Sequence, residues 1–313
     1  MGVKSFYAQK LSPLIRALPG GERVDMALVA FNANLQFISS LYANSGSRIF
    51  TDEQIDEIFD GIDPASLHLA KRFMHRQYRC PPNALMAHPK YFYEPDEKAE
   101  YLRVRPEFLR AVRRYHLPKH KLGPESLYYH HGLRFAPEAV KRRIAGGIFC
   151  DIGGWLGDST LVFQNYAPLK TVIFEPDGKI RDELVGFLKR NRVAAERYDL
   201  LPLALSDAAG NCGGMMTRKL DDVTSGWSAP STVLKADIEG MGLRFLKGAE
   251  ATIRRDRPLL SLAIYHNEDE FAGIYKTLRG WDIDYRCEIR QFAPFLPHGE
   301  LSLLAYPREW NEN

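Results

Sequence analysis

The sequence predicts an α/β protein, a seven-stranded, mostly parallel, doubly wound sheet preceded by an N-terminal helical module. Three observations predict it. From Gly147 onward, short apolar runs alternate with helix-like stretches, the pattern by which β-α units build a parallel sheet with helices on both faces. The first of those runs, from Ile148, passes directly into the glycine-rich turn "GGWLGD", as a strand does when it hands over to a helix beside a ligand. Before Gly123 the apolar residues recur every three or four positions, the period of a helix with one buried face.

In chain order, "VDMALVAFNANLQFISSLYANSG" spaces Leu28, Phe31, Leu35, Ile38 and Tyr42 for an amphipathic helix that ends near Gly46. "TDEQIDEIFDG" then places Thr51 and Gln54 as a capping box, and "DPASLHLAKRFMHRQY" opens with Asp63 as cap and Pro64 at the first helical position. "CPPNALMAHPKYFYEPDEKAEYLRVRP" is rich in proline and aromatics and reads as packed irregular chain crossing between modules. "LRAVRRYHLPKHK" interleaves Leu109, Val112 and Tyr115 with its charges, as a solvated helix face does. Residues 1–122 are assigned to the helical module and 123–313 to the α/β domain.

Seven runs in the second region read as strands: "IFCD", "TVIFEP", "DLLPLALSD", "TVLKAD", "LLSLAIYH", "WDIDYR" and "LSLLAY". In a doubly wound sheet, ligands bind at the carboxyl ends of the strands. Those ends are Asp151, Glu175, Asp207, Asp237 and His266, and all of them are polar.

Composition narrows the function classes. The 313 residues are 45% hydrophobic and 26% charged, enough for a full core plus a second module. The net charge of +3 is too small to point to nucleic acid as partner. No apolar run approaches the ~18 residues of a spanning helix, and the N-terminal stretch lacks the pattern of a secretory signal, so a cytoplasmic protein is expected. Cys80, Cys150, Cys212 and Cys287 are widely separated with no CxxC pair, which favours neither a zinc site nor a disulfide framework.

The glycine turn carries the chemistry. Gly153, Gly154 and Gly157 permit positive φ and close backbone approach, but their spacing is not the G-x-G-x-x-G of a dinucleotide site. Asp158, at the following helix start, would repel a pyrophosphate while tolerating an amino-acid moiety and a sulfonium charge. The turn therefore favours S-adenosylmethionine over a nicotinamide cofactor. Glu175 ends the second strand, where a carboxylate can accept hydrogen bonds from two ribose hydroxyls.

"DIGGWLGDSTLVFQNY", "TVIFEPD", "LALSDAAG", "KLDD" and "VLKADIEGMGLRFLKGAEATIRRDRPLLSLAIYHNEDEF", taken in that order, resemble the FkbM family of S-adenosylmethionine-dependent methyltransferases, and "GPESLYYHHGLRFAP" looks like the lead-in to that domain. The resemblance spans Gly123 to Tyr306, and its most specific part is "DIEG" followed by "LKGAE". It implies a Rossmann-like methyltransferase fold, S-adenosylmethionine as cofactor and an acceptor hydroxyl on a sugar of a bacterial surface glycan or glycosylated small molecule. It places Asp151, Gly153 and Gly157 at the methionine end of the cofactor, Glu175 at its ribose, Ser206 and Asp207 near the adenine, and Asp237 and Glu239 at the transfer site. The helical module would then serve self-association or acceptor presentation. Two departures bear on the acceptor pocket. Gly242 stands where the family usually has an acid three positions after the Glu of "DIEG", and the segment between Asp207 and Leu220 is short.

Methyl transfer to a hydroxyl is an in-line displacement on an activated sulfonium, so positioning can supply about 7–11 kcal/mol of the catalysis. The remaining task is removal of a proton. His266, with an unperturbed pKa of about 6.5, is the expected base, and Asp237 is expected to hold the ring or the hydroxyl, or alternatively a divalent cation. His130 and His131 could close over the cleft or be structurally bonded imidazoles, and Tyr128, Tyr129 and Trp155 could stack on a sugar ring, although aromatics this frequent read first as core. Two other readings remain: a catalytically silent binding module with the cofactor fold, supported by Gly242 and the short segment, and a nicotinamide-dependent oxidoreductase, opposed by the glycine spacing.

Overall fold

The structure is a computed structural model and describes residue 19 and residues 46–79, 94–118, 122–292 and 299–311. The helix expected between Leu28 and Gly46 lies outside the described residues, apart from its last position.

The strands are β1 (Ile148–Ile152), β2 (Lys170–Phe174), β3 (Tyr198–Leu201), β4 (Ala204–Leu205), β5 (Gly210–Cys212), β6 (Met215–Arg218), β7 (Ser231–Ala236), β8 (Leu259–Ala263), β9 (Tyr285–Gln291) and β10 (Leu301–Pro307). The main sheet has seven strands in the order β3-β2-β1-β7-β8-β10-β9. All neighbours pair in parallel except β10, which runs antiparallel to both β8 and β9. This is the expected mostly parallel, Rossmann-like sheet, with one telling difference from the dinucleotide-binding order 3-2-1-4-5-6: here the final strand inserts, reversed, before the sheet edge. β1 and β8 are buried along their whole length, as central parallel strands must be.

The remaining strands form a small three-stranded sheet, β4-β6-β5. The run "DLLPLALSD" is therefore two strands. Pro202 cannot donate to a ladder; β3 ends at Leu201, and β4 leaves the main sheet to pair with β6. The short segment after Asp207 is a hairpin of β5 and β6 turning through Gly213 and Gly214, both at positive φ. The sixth expected strand, "WDIDYR", begins only at Tyr285 and continues to Gln291.

The helices are α1 (Asp52–Ile58), α2 (Pro64–Arg79), α3 (Pro95–Arg114), α4 (Pro124–Leu127), α5 (Glu138–Ile144), α6 (Asp158–Phe163), α7 (Gly178–Arg190), α8 (Leu220–Thr224), α9 (Gly242–Lys247), α10 (Glu250–Asp256) and α11 (Ile274–Gly280). The Thr51–Gln54 capping box is formed in both directions. Asp63 accepts the amides of Ala65 and Ser66, each at 3.0 Å. The expectation of irregular chain is corrected for residues 95–106, whereas residues 80–93 lie outside the described residues. Pro95 opens α3, Glu97 accepts the Glu94 amide at 2.9 Å, and Pro106 is carried inside the helix.

Two apolar layers sandwich the sheet. On one face Cys150, Leu234 and Leu260 pack with Ile55, Phe59, Phe73 and Met74 of the N-terminal helices. Phe73 stacks on Phe271 with ring centroids 5.7 Å apart, and Ser66 Oγ accepts the Ile289 amide of β9 at 2.8 Å. The described helices before Gly123 thus share a core with the sheet. On the other face Phe149, Val233, Leu259 and Leu304 pack with α5 and α6. Strand order reverses between β1 and β7, which places the sheet's crevice at their carboxyl ends.

Candidate active site at the sheet switch point

The glycine turn bridges β1 and α6 at this crevice. Gly153 has φ +82°, and a Cβ there would lie 2.1 Å from the carbonyl oxygen of Asp237. The turn is pressed against the end of β7 so closely that only glycine fits. Gly157, at φ +76°, is the left-handed residue from which α6 begins. Trp155 stands between them, 41% exposed, and its amide donates to Glu175 Oε2 at 3.2 Å. Glu175 Oε1 accepts the Asp177 amide at 2.9 Å. The carboxylate expected at the end of β2 is therefore present and buttresses the turn. Burial raises its pKa against the pull of those two amides.

Beneath the turn lies a charge pair. The β1–β7 register sets Asp151 opposite Lys235, and the Lys235 ammonium lies 3.1 Å from Asp151 Oδ1 and donates to the Gly153 carbonyl at 2.8 Å. Asp151 is wholly buried and also accepts from Thr160 Oγ1 at 2.8 Å. Burial opposes the charge on Lys235, but Asp151, Asp237 and Asp158 outweigh it and raise its pKa. Asp158, nearly buried at the start of α6, has its carboxyl raised by burial.

The transfer-site residues gather on the β7–β8 side. His266 is 3% exposed; its Nδ1 is 2.7 Å from Glu270 Oε2, and its Nε2 faces Asp237 Oδ1 at 3.2 Å and Glu239 Oε2 at 3.8 Å. Its ring stacks on Tyr265 at 4.1 Å. The three residues expected at the transfer site are brought together. The expected titration of His266 near 6.5 is not what this geometry produces: burial disfavours the charged ring, but the hydrogen bonds and charges of Asp237 and Glu270 prevail and raise its pKa to about 11. Asp237 and Glu270 thus favour the protonated ring. For Asp237, burial pushes the carboxyl up, but the His266 hydrogen bond and charge, with Lys235 and His131, bring it down to about 2. Burial raises Glu239. Glu300, whose carboxyl accepts from Tyr265 at 3.1 Å, is raised to about 8 by burial and by the charge of Asp237.

The other candidates are dispersed. His131 Nε2 is 2.8 Å from Ser159 Oγ at the start of α6, and burial holds its pKa well below the ordinary value. His130 turns away to the Tyr166 hydroxyl at 2.7 Å and is lowered to about 4, chiefly by burial. Only one of the tandem pair approaches the crevice. Tyr128 and Tyr129 are buried in a cluster with Val104 and Phe292, so Tyr128 is core and offers no stacking surface. Ser206 Oγ donates to Asp207 Oδ1 at 3.0 Å, and Asp207 is tied to Arg244 of α9, which holds its carboxyl below the usual range.

Gly242 has a physical reason. Its amide donates to Glu270 Oε1 at 2.8 Å, and a Cβ at this position would meet that same oxygen at 2.8 Å. Glu270 thus brings a buried carboxylate to the place where a side chain from position 242 would stand. Sequence reasoning missed Lys235, Glu270, Tyr265 and Glu300. Lys235 left a signal, a lone lysine inside the otherwise buried strand "TVLKA", because a fully buried charge must be paired. Among the described residues no group of three or more His, Cys, Asp or Glu side chains is arranged to hold a metal ion.

No protein-family profile matches the chain, and no curated protein matches it in sequence. Solved structures do. The methyltransferase FkbM from Methylobacillus flagellatus KT is 19% identical, with a TM-score of 0.46 over 66% of this chain and 60% of its own. The chain thus spans less than two thirds of that protein. The O-methyltransferase TomG from Streptomyces achromogenes, involved in tomaymycin synthesis and crystallised with S-adenosylmethionine, is 12% identical over 71% of this chain and 99% of its own, with a TM-score of 0.45. An O-methyltransferase from Bacillus cereus, in complex with S-adenosylhomocysteine, is 14% identical over 66% and 91%, with a TM-score of 0.43.

Proposed function

We propose that the chain is an S-adenosylmethionine-dependent O-methyltransferase of the FkbM type, acting on a sugar hydroxyl of a bacterial glycan or glycosylated small molecule. The observation that carries this reading is the glycine turn seated on the Asp237 carbonyl at the switch point, buttressed by Glu175 and bordered by carboxylates. Asp158, Glu175, Asp237, Glu239 and Glu300 border the crevice, against Lys235 and His266 as cations. These carboxylates can accept hydrogen bonds from ribose hydroxyls and an amino group and attract a sulfonium, and they disfavour the pyrophosphate of a nicotinamide cofactor.

In this reading Gly153, Gly157 and Asp158 hold the methionine end, with Asp151 fixing the turn through Lys235; Glu175 holds the ribose, and Ser206 with Asp207 border the adenine. When bound, the cofactor supplies a methyl group already activated on sulfur. The protein's own task is to orient the acceptor and receive its proton. Asp237 accepts the hydrogen bond of the acceptor hydroxyl. His266, gripped by Glu270, keeps that carboxylate ionised and aimed. Glu239, whose carboxylate lies 3.8 Å from His266 Nε2 and stays open to the crevice, is the group that receives the proton. The residues before Gly123 present the acceptor.

The test is mass spectrometry of bacterial glycan extracts incubated with the protein and isotope-labelled S-adenosylmethionine. A labelled methyl on a saccharide, lost with Asp237→Asn while cofactor affinity is retained, supports the reading. Label found only on protein or nucleic acid contradicts it.

A further inference from the structure

A cavity of about 580 Å³ opens on the β9–β10 edge where α2 and α3 close over the sheet. Its volume is that of an ordinary small-molecule site. Four guanidinium and four carboxylate groups line it, so its walls carry no net charge. Arg72 lies 2.8 Å from Asp96 and 3.3 Å from Glu97, and Arg103 Nε donates to Glu100 at 2.9 Å. On the strand side, Glu288 is shared by Arg286, at 2.7 Å, and Arg290. Apolar rings stand among these pairs: Tyr129, Phe292 and Tyr306 are buried in the wall, whereas Phe135 is 52% exposed.

That combination selects a ligand by elimination. A phosphate or polyanion needs unneutralised cations, and here each lining guanidinium already faces a carboxylate. A purely hydrocarbon chain would leave these guanidinium–carboxylate pairs facing it without hydrogen-bonding partners. Paired guanidinium and carboxylate groups offer donors and acceptors side by side, which suits hydroxyls that both donate and accept, while an exposed ring suits the C–H face of a pyranose.

We propose that this cavity is a saccharide-binding subsite, built jointly by the helices before Gly123 and the strands β9 and β10. The proposal rests on the methyl-transfer reading for its purpose, which is to hold a glycan acceptor beyond the sugar unit that is modified. Two of its walls continue into the crevice. The segment from Tyr129 to Phe135 carries His131, which bonds Ser159 of α6. The Phe292 amide donates to the Glu300 carbonyl at 3.1 Å, and the Glu300 carboxyl accepts from Tyr265 beside Asp237.

The experiment is binding of the full-length protein to an array of bacterial surface saccharides, without methyl donor, alongside calorimetric titration with S-adenosylhomocysteine. Phe135→Ala, at an exposed position, should weaken array binding about tenfold, the loss of one ring contact. Arg286→Ala, on the opposite wall and half exposed, should weaken it as well. Both variants should bind S-adenosylhomocysteine as the wild type does. Saccharide binding unchanged in both variants, or absent from a protein that binds S-adenosylhomocysteine, overturns the subsite and leaves the cofactor assignment intact. Saccharide binding that depends on Phe135 in a protein that ignores S-adenosylhomocysteine supports the subsite and defeats the methyl-transfer reading instead.

Discussion

The glycine turn after β1 and the acid–histidine cluster after β7 and β8 border one crevice, yet they are built by different means. The turn is a backbone device. Its shape follows from φ values that glycine alone takes easily, and the side chain that buttresses it binds main-chain amides. The cluster is a side-chain device. Asp151 comes from β1, Lys235 and Asp237 from β7 and its end, and His266 and Glu270 from the chain after β8, and ion pairs hold them to one another. A backbone device holds its geometry through local conformation, whereas a buried ionic cluster fails when any partner is removed.

Substitutions can sharpen or break this contrast. The largest effect is expected at Lys235. Lys235→Met leaves Asp151 buried without its counter-charge and should cost about 3–5 kcal/mol in urea denaturation. A loss below about 1 kcal/mol, the size of an exposed pair, would show that the cluster is not the sensitive half.

Gly153→Ala comes next. It forces a Cβ into φ +82° and against the Asp237 carbonyl, so about 2–4 kcal/mol of stability should be lost, with the turn displaced. Gly226→Ala is the control, because nothing lies within 4 Å of a Cβ there and φ is ordinary; it should change stability by no more than about 0.5 kcal/mol. Equal effects at the two glycines would remove the argument for a conformationally specified turn.

A smaller and pH-dependent effect is expected at His266. Its folded pKa, about 11, lies above the unfolded value of about 6.5, so its stabilising contribution is complete below the unfolded value and fades as pH rises through the folded one. His266→Gln should therefore cost about 1–3 kcal/mol at pH 6 and progressively less toward pH 11. Its methylation rate should fall without a matching loss of cofactor affinity. A wild-type rate profile with an inflection near 6.5 that vanishes in this variant would restore His266 as the titrating base.

The same contrast governs what could be read from the sequence. The Thr51–Gln54 box, the Asp63 cap and the polar strand ends were legible because each depends on neighbours within a few residues. The "DLLPLALSD" run was misread although Pro202 supplied the local signal for a break. Residues 95–106 were misread because the proline and aromatic content masked the Glu94–Glu97 helix start. For His266, the partner Asp237 was legible from the ends of adjacent strands, but Glu270, only four residues on, was not read as its second partner. The carboxylate behind Gly242 was hidden because it arrives from Glu270, far along the chain.

The central claim, that the turn between β1 and α6 holds S-adenosylmethionine, is tested most directly by thermal melting of the full-length chain with S-adenosylhomocysteine and, separately, with NAD. A ligand that binds only the folded state raises the melting temperature by mass action. S-adenosylhomocysteine should raise it and NAD should not. Glu175→Ala should weaken S-adenosylhomocysteine binding by about 1.5–3 kcal/mol, through lost ribose hydrogen bonds and the release of the Trp155 and Asp177 amides. Equal stabilisation by NAD, or S-adenosylhomocysteine affinity unchanged in the Glu175 variant, would contradict the account.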